Sequence, residues 1–276
     1  MTVTDRATTA LLLAAGAGSR LSSLTKDTPK CLTEVGGVPI LARLVNNLRE
    51  NGIDRLGVVT GHLSGHIGEF LKDKAGDIQI DYIFSPEYRT TNNIYSLWLA
   101  RDHIQEPFLL VESDLVFDAC MLENMLQPDK IAISRMRPWM HGTTVTVAPG
   151  GTGKRVAAFH VGSGAENNAA GYKTVNIYSL SAPTWTKVWA RFDRYISDGR
   201  TGEYYEAVFA ELVADGSLSL EAVHFDPDRW YEIDTMADLG EAERIFGSAV
   251  RLPVGPVVPP YPSNGSSPLA SITAND

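Results

Sequence analysis

ALLLAAGAGSRL at residues 10–21 is an uninterrupted apolar run that breaks off at a pair of glycines. Such a run predicts a strand buried on both faces and followed by a loop. Gly16 and Gly18 allow the positive φ and the close backbone approach that a side chain would block, so successive N–H groups can face an anion. Arg20 and the later Lys30 add cations suited to phosphate oxygens. The stretch indicates a phosphate-binding loop, although strand-to-helix turns also carry glycines for structural reasons.

Two common phosphate-binding motifs are excluded at this loop. A dinucleotide-binding fingerprint would need a third glycine where Leu21 stands. A Walker loop would need Gly-Lys followed by Ser or Thr, which this stretch lacks. The loop therefore matches neither of these two motifs.

The composition favours a small-molecule ligand. The 276 residues are 44% hydrophobic, which is enough to bury a full core. The formal net charge of −9 argues against binding to nucleic acid or to an anionic membrane. The sequence has no apolar run of about 18 residues and no signal-peptide core at its start. We therefore expect a cytoplasmic protein that binds small molecules, with no nucleic acid and no membrane as partners.

Up to about residue 130, apolar runs alternate with segments of helical periodicity. Strands are predicted at 55–60, 78–84 and 107–113, and helices at 38–51, 63–72 and 92–104. This alternation predicts βαβ units and a mainly parallel sheet, in which ligands bind beyond the C-terminal ends of the strands. Gly16 and Asp114 both stand at such ends.

The second half of the chain is richer in strands. β-rich runs divided by Gly and Pro turns fall at 131–134, 143–147, 155–161 and 173–180. Helices are predicted at 183–197, 202–214 and 235–246, and strands at 219–225 and 229–233. This pattern predicts a more antiparallel part packed against the first half.

Acidic residues follow two predicted strands that are far apart in sequence. Asp114 follows a buried strand, where a carboxylate costs desolvation unless a cation neutralises it. Glu232 and Asp234 lie two residues apart on a predicted strand and so project from one face. Carboxylates at these two places would suit Mg²⁺. Each aspartate also has a structural alternative: Asp114 as a loop or N-cap acid, and Asp234 as the cap of the helix predicted from Thr235.

The opening stretch resembles the signature of the sugar-phosphate nucleotidyltransferase superfamily, Leu-Ala-Ala-Gly-x-Gly-x-Arg-Leu followed further on by Pro-Lys. The chain matches this signature at Leu13, Ala14, Ala15, Gly16, Gly18, Arg20, Leu21, Pro29 and Lys30. Three later segments resemble the cytidylyltransferase branch that accepts phosphocholine or small phosphonates: NNIYSL at 92–97, GYKTVNIY at 171–178 and WYEID at 230–234. The resemblance spans roughly residues 11–246.

The resemblance implies an α/β, Rossmann-like nucleotidyltransferase fold. Its central sheet would be mixed but mainly parallel and flanked by helices, with a smaller β-rich part that binds the acceptor. One domain is expected over residues 1–250, with a nucleotide-binding half at about 8–130 and an acceptor-binding half at 131–246. Residues 251–276 are rich in Pro, Gly and Ser and are expected to be a disordered tail or a linker. A homodimer is a further expectation from the family.

The resemblance also implies roles for individual residues. Catalytic roles fall on Arg20, Lys30 and Lys173. Nucleotide binding falls on Leu13, Ala14, Ala15, Gly16, Ala17, Gly18, Ser19, Asn93 and Ser113. Acceptor binding falls on Asn93, Ser96, Lys173, Asn176 and Glu232. The expected ligands of Mg²⁺, for which Mn²⁺ could substitute, are Asp114 and Asp234, and Glu232 either joins them or lies behind them.

The function implied is that of an enzyme, a CTP-dependent cytidylyltransferase. It would transfer CMP to 2-hydroxyethylphosphonate or 2-aminoethylphosphonate and release pyrophosphate. Phosphocholine is an alternative acceptor that would need an aromatic cage, with candidates Tyr95, Trp98, Trp139, Tyr178, Trp230 and Tyr231. Helical spacing, however, favours core packing for Trp98. The remaining alternatives are a sugar 1-phosphate as acceptor and a nucleotide-sensing module without turnover.

Overall fold

A computed structural model defines the helices and strands of residues 6–138, 140–149, 154–162 and 171–247. The first half contains β1 (Thr9–Ala14), α1 (Ser22–Thr25), β2 (Glu34–Val35), β3 (Val38–Pro39), α2 (Ile40–Glu50), β4 (Arg55–Thr60), α3 (Ser64–Lys74), β5 (Gln79–Phe84), α4 (Asn93–Leu99), β6 (Phe108–Glu112) and β7 (Leu115–Phe117). The second half contains β8 (Lys130–Arg135), β9 (Thr144–Val147), β10 (Val156–His160), β11 (Tyr172–Leu180), α5 (Ala182–Ser197), α6 (Tyr205–Ala214), β12 (Glu221–Phe225), β13 (Trp230–Glu232) and α7 (Met236–Phe246). Short 3-10 helices lie at Ser19–Leu21, Lys30–Leu32, Ala100–Asp102 and Ala119–Met125.

The described strands form one mixed sheet of nine strands and two short two-stranded sheets. β5, β4, β1 and β6 lie side by side in parallel. β11 continues the sheet antiparallel to β6, and β8, β9, β10 and β12 extend it from there. The expected mixed sheet flanked by helices is confirmed. Among the described residues, no helix is both long and apolar enough to cross a membrane.

Burial on both faces of the sheet explains why β1 is an unbroken apolar run. Leu12 packs into the core that α2, α3 and α7 cover, whereas Leu11 and Leu13 pack into the core on the opposite face with α4, α5 and α6. Leu11 and Leu12 are fully buried. A strand covered by helices on both sides has no solvent face, so its sequence need not alternate with polar residues.

Most predicted elements are present, but several of their bounds differ from those expected. The helix expected at 38–51 begins at Ile40, because Pro39 is extended and pairs with β2 in a hairpin. The helix expected at 92–104 is α-helical to Leu99 and then tightens into a 3-10 turn. The helix expected at 202–214 begins at Tyr205. The tail expected at 251–276 lies outside the described residues, and the proposed domain bounds stay a prediction.

At the C-terminal end of β6 the sheet forks: β9 and β6 pair with successive parts of the same edge of β11 and separate from each other. Along one edge, β11 pairs first with β9, through Lys173 and Thr144, and then with β6, through Ile177 and Val111. Asn176 lies between these two pairings and has a φ of 60°. The fork therefore opens the sheet at the strand ends where α/β proteins bind their ligands.

Gly61 packs closely against Ala15, the residue that precedes the glycine loop, and against Tyr88. A Cβ at Gly61 would lie 2.7 Å from the carbonyl oxygen of Ala15 and 2.8 Å from Cβ and Cγ of Tyr88. These atoms are backbone or the base of a side chain, so they cannot move aside cheaply. By contrast, a Cβ at Gly68 in α3 would meet nothing within 4 Å.

We therefore expect Gly61→Ala to lower the free energy of unfolding by about 1–3 kcal/mol through overpacking. Gly68→Ala is the matched control, and it should raise this free energy by about 0.5–1 kcal/mol because alanine is the better helix former. Urea unfolding followed by circular dichroism measures both. Equal effects of the two substitutions would contradict the close-packing account.

Candidate active site

The glycine loop and the C-terminal ends of β1 and β6 enclose a cavity of about 440 Å³. Gly18 has a φ of 60°, and its carbonyl accepts hydrogen bonds from Leu21 N and Thr25 Oγ1, each at 2.9 Å. A Cβ at Gly16 would meet nothing within 4 Å. The loop therefore presents bare backbone to the cavity, as a phosphate-binding loop requires. The lining also includes Lys30, Asn92, Asn93, Ser96, Glu112, Ser113, Asp114 and Asp234.

Lys30 joins two carboxylates from distant parts of the chain. Its Nζ lies 2.6 Å from Asp114 Oδ2 and 2.6 Å from Asp234 Oδ1. Arg20 Nη2 lies 2.8 Å from the same Asp234 oxygen. Burial by itself would lower the pKa of Lys30, but the charges and hydrogen bonds of the two aspartates outweigh burial and hold this pKa above its ordinary value. Lys30 is therefore charged at physiological pH.

Asp234 is available for these contacts because its neighbour caps α7. Thr235 Oγ1 accepts from Asp238 N at 3.2 Å, and Asp238 Oδ2 accepts from Thr235 N at 2.7 Å. This capping box satisfies the start of the helix, so the alternative that Asp234 caps it is wrong. Asp114 lies in the turn between β6 and β7, where its carbonyl accepts from Ile233 N at 3.0 Å. Pairing of β7 with β13 thus brings the two aspartates together.

The aspartate pair fits a divalent cation. Asp114 Oδ1 is buried and has no hydrogen-bond partner, which is unusual for a carboxylate oxygen unless it binds a cation. Carboxylate oxygens are the ligands that Mg²⁺ prefers, and one or two of them together with substrate phosphates form its usual site. Among the described residues, no cluster of three His, Cys, Asp or Glu side chains could hold a metal. Phosphate or water oxygens would have to complete the coordination.

A second cavity of about 320 Å³ adjoins the first, and Arg20 and Asp234 line both. Lys173 is only 2% exposed; its Nζ donates to the carbonyl of Thr174 at 2.8 Å and lies 3.1 Å from Glu232 Oε2. The second cavity therefore combines a buried ion pair with aromatic walls. Its lining also includes Met140, His141, Trp230, Tyr231, Thr235, Ala237 and Asp238.

Three glutamates, of which Glu206 is buried and Glu112 and Glu232 are half-buried, make the inner side of the site acidic. Burial raises the pKa of Glu112 well above its ordinary value, and repulsion from Asp114, Glu206 and Glu232 adds to the effect. Burial also raises the pKa of Glu206 to about 7. The pKa of Glu232 is raised by burial as well, although Lys173 opposes the shift. Lys173 thus offsets part of a local excess of carboxyl groups.

The structure brings most of the predicted site residues to the two cavities. Residues 13–20, Lys30, Asn93, Ser96, Ser113 and Asp114 line the first cavity, Lys173 and Glu232 line the second, and Asp234 lines both. Ser96, expected near the acceptor, lines the first cavity, and its Oγ donates to Ser85 Oγ at 3.2 Å. Asn176 reaches the second cavity through Glu232, since its Nδ2 donates to Glu232 Oε1 at 3.1 Å.

Sequence reasoning missed Tyr205 and Glu206 at the start of α6. Tyr205 OH donates to Glu112 Oε1 at 3.0 Å, and its backbone N donates to Asn93 Oδ1 at 3.0 Å. Glu206 is 4% exposed, and its Oε2 has no hydrogen-bond partner. In the sequence, Glu206 stands beside the apolar core positions of a predicted helix, which is the one feature that could have indicated a role. Acidic residues are also common in the first turn of a helix for structural reasons.

The aromatic candidates divide between the core and the site. Trp230 and Tyr231 line the second cavity. Trp98 packs with Tyr95 at 5.5 Å between ring centroids and donates through Nε1 to Asp193 at 2.6 Å, so the expectation of core packing is correct. Tyr178 is fully buried, and Trp139 lies outside the described residues.

Comparison with known proteins points to one family. The Nucleotidyl transferase family model matches residues 9–136. The chain is 30% identical over 241 residues to CMP-5'-(3-aminopropyl)phosphonate synthase of Streptomyces rubellomurinus, covering 86% of this chain but 38% of that protein. It is 29% identical over 242 residues to 2-aminoethylphosphonate cytidylyltransferase of Lancefieldella rimae, covering 84% of this chain and 90% of that protein. The solved structure of CTP:phosphocholine cytidylyltransferase from Streptococcus pneumoniae superposes with a TM-score of 0.72 at 23% identity, covering 87% and 99% of the two chains.

The fold, the glycine loop and the family match over residues 9–136 support the resemblance to the nucleotidyltransferase superfamily. The proteins to which this chain is similar include phosphonate and phosphocholine cytidylyltransferases, which supports the branch expected from the sequence motifs.

Glu206 should make the stability of the protein depend on pH. Burial raises the pKa of Glu206 from 4.5 to about 7 in the native state. The contribution of Glu206 to the free energy of unfolding is therefore fully present below about pH 4.5 and is lost as the pH rises through about 7. Glu206→Gln should remove this loss, so the variant should gain up to about 3 kcal/mol over the wild type between pH 5 and pH 8. Urea unfolding at the two pH values measures the difference, with exposed Glu123→Gln as the control. Parallel pH profiles for wild type and Glu206→Gln would contradict the prediction.

Proposed function

We propose that this protein is a CTP-dependent cytidylyltransferase that transfers CMP to a small phosphonate and releases pyrophosphate. The observation that carries the proposal is the pair of adjoining cavities that share Arg20 and Asp234. The first has a glycine loop for phosphates, and the second has the buried cation Lys173 beside aromatic walls. The named activities of the relatives support the base and the acceptor class.

The reaction proposed is an in-line displacement at the α-phosphorus of CTP. A phosphonate oxygen forms the new P–O bond while the bond to pyrophosphate breaks. That oxygen is already anionic near neutral pH, with a second pKa of roughly 6 by analogy with phosphate monoesters, so no strong general base is needed. Catalysis would come from positioning and charge neutralisation. The loop and Arg20 would hold the pyrophosphate, whereas Lys30 and Lys173 would stabilise charge at the α-phosphate and the phosphonate.

Asp114 and Asp234 would hold Mg²⁺, or Mn²⁺ in its place. The unpartnered Asp114 Oδ1 and the shared position of Asp234 between the two cavities support this assignment. The ion would supply Lewis-acid neutralisation of phosphate charge. Lys30, which contacts both aspartates, would shift toward the phosphates that it is suited to bind.

An aminoalkylphosphonate fits the second cavity better than its hydroxyl analogue. Glu232 lines this cavity, and Glu112 and Glu206, which lie outside its lining, are close enough to interact with Glu232 and add to the local excess of carboxyl groups. An ammonium group would reduce this excess, whereas a hydroxyl would not. Trp230 and Tyr231 could also face the quaternary ammonium of phosphocholine, and phosphocholine is therefore the second candidate acceptor.

A pyrophosphate-release assay tests the proposed function directly. The panel holds 2-aminoethylphosphonate, 2-hydroxyethylphosphonate, phosphocholine and glucose 1-phosphate with CTP and Mg²⁺, and ATP, GTP and UTP serve as base controls. We expect CTP-dependent release with the aminophosphonate. A preference for phosphocholine or the sugar phosphate would redirect the acceptor assignment, and tight CTP binding without release from any acceptor would favour a sensing module.

Asp114→Asn should lower kcat by at least about 100-fold, since removal of one electrostatic stabiliser of this kind commonly has such an effect. Asp118→Asn is the matched control, because Asp118 pairs with Arg229 on the exposed surface and should leave kcat within about twofold. Mn²⁺ binding in the presence of CTP, followed by electron paramagnetic resonance, should be lost in Asp114→Asn alone. Unchanged kcat and Mn²⁺ binding in that variant would refute the metal assignment.

Glu232→Gln should reduce the preference for an amino acceptor. We expect the ratio of kcat/KM for 2-aminoethylphosphonate to that for 2-hydroxyethylphosphonate to fall about tenfold, because a charge-assisted contact is replaced by a neutral one. The ratio cancels effects of the substitution that both acceptors share. An unchanged ratio would remove Glu232 from amine recognition.

A further inference from the structure

Asn176 adopts a left-handed backbone conformation in the middle of a buried strand. Its φ is 60°, a region that L-residues avoid and that asparagine tolerates better than most. Among the described residues, Leu63 and Asp129 are the other non-glycine residues with positive φ, and neither lies within a strand. A residue held in this conformation beside a binding cavity points to a functional constraint.

The conformation coincides with a bulge where the sheet forks. Thr174 of β11 pairs with Ile133 of β8, and Tyr178 pairs with Ile131, so four steps along β11 oppose two along β8. Over the same stretch, the other edge of β11 passes from β9 to β6. A bulge of this kind re-aims the side chains that flank it. The two surplus residues therefore accommodate the opening between β9 and β6.

The amide of Asn176 ties this bulge to the second cavity. Its Nδ2 donates to Glu232 Oε1 at 3.1 Å, and its Oδ1 accepts from Thr174 Oγ1 at 2.9 Å. The other oxygen of Glu232 lies 3.1 Å from Lys173 Nζ. Asn176 is only 6% exposed, so its amide has little freedom to turn away. Glu232 is thus held between Asn176 and Lys173.

We propose that Asn176 is a positioning residue for the acceptor site, which acts through Glu232 and Lys173 and not by touching the substrate. Its left-handed backbone lets β11 bulge at the fork, and its amide fixes the carboxylate of Glu232. The proposal rests on the proposed function, because it takes the second cavity as the acceptor site. Glycine at this position would adopt the left-handed backbone conformation without strain but would lose the hydrogen bonds of the amide. Alanine would be strained in that conformation and would lose the hydrogen bonds as well.

Kinetics of Asn176→Gly and Asn176→Ala separate the two parts of this role. We expect both variants to raise KM for the phosphonate about tenfold, the effect of losing one hydrogen bond to a charged group, while KM for CTP stays within about twofold. Asn176→Ala should also have a lower urea midpoint than Asn176→Gly, because alanine is strained at a φ of 60°. A purely structural role would instead change both KM values together.

Asp129→Gly is the matched control for these variants. Asp129 is also left-handed, with a φ of 62°, and its carboxylate accepts from Ser181 N at 3.0 Å and from Ser181 Oγ at 2.9 Å. It precedes β8, and Ser181 follows β11, so this contact lies at the other end of the strand pair. Asp129→Gly should leave KM for the phosphonate unchanged.

Crystal structures of the wild type and Asn176→Gly test the proposal independently of turnover. We expect the Glu232 carboxylate to leave its wild-type position in the variant, because the amide that holds its Oε1 is gone. An unmoved Glu232, or an unchanged KM for the phosphonate in Asn176→Gly, would overturn the proposal. If the wild type turned over no acceptor, the proposed function would fail, and the position of Glu232 would still decide the role of Asn176.

Discussion

The contact of Lys30 with Asp114 and Asp234 joins the three segments on which the site depends. Lys30 follows the glycine loop, Asp114 follows β6, and Asp234 precedes α7, yet both carboxylates lie 2.6 Å from one ammonium nitrogen. Removal of one partner from a buried ion pair leaves an uncompensated charge, which costs several kcal/mol. The contact therefore constrains the loop, the sheet and the C-terminal helix to one arrangement. Pairing of β7 with β13 and the capping box of α7 supply the backbone that this arrangement requires.

Topology explains why the second cavity lies beside the first. The C-terminal ends of parallel strands β1 and β6 place the glycine loop and Asp114 at one edge of the sheet. β11 runs antiparallel to β6, so its early residues extend beyond the end of β6 and carry Lys173 past the glycine loop. The fork between β9 and β6 keeps that region open. A sheet that stayed closed there would leave no cavity beside Lys173 and Glu232.

Local patterns in the sequence predict the fold and the first cavity, and the motifs at 171–178 and 230–234 predict Lys173 and Glu232 of the second. The apolar run at 10–14 predicts a doubly buried strand, and the matched signature from Leu13 to Lys30 predicts the loop. The bulge at Asn176 and the contacts of Tyr205 and Glu206 at the start of α6 could not be predicted in this way. They depend on contacts between residues distant in sequence, such as Asn176 with Glu232 and Tyr205 with Glu112. An asparagine within a β-rich run carries no mark of a left-handed φ, because the surrounding sheet imposes that conformation.

The charges of the site suggest how it could accept two anionic substrates without leaving buried charge unpaired. Arg20 and Lys30 contact Asp234, and Lys173 contacts Glu232. Phosphate oxygens would compete with these carboxylates for the same cations. A divalent cation on the aspartates and an ammonium group near Glu232 would compensate the carboxylates as their original partners moved. Such an exchange keeps each buried charge paired before and after binding, which avoids the large cost of an isolated ion in a low-dielectric site. On this argument, the proposed metal and the amine of the proposed acceptor would serve the same electrostatic requirement in the two cavities.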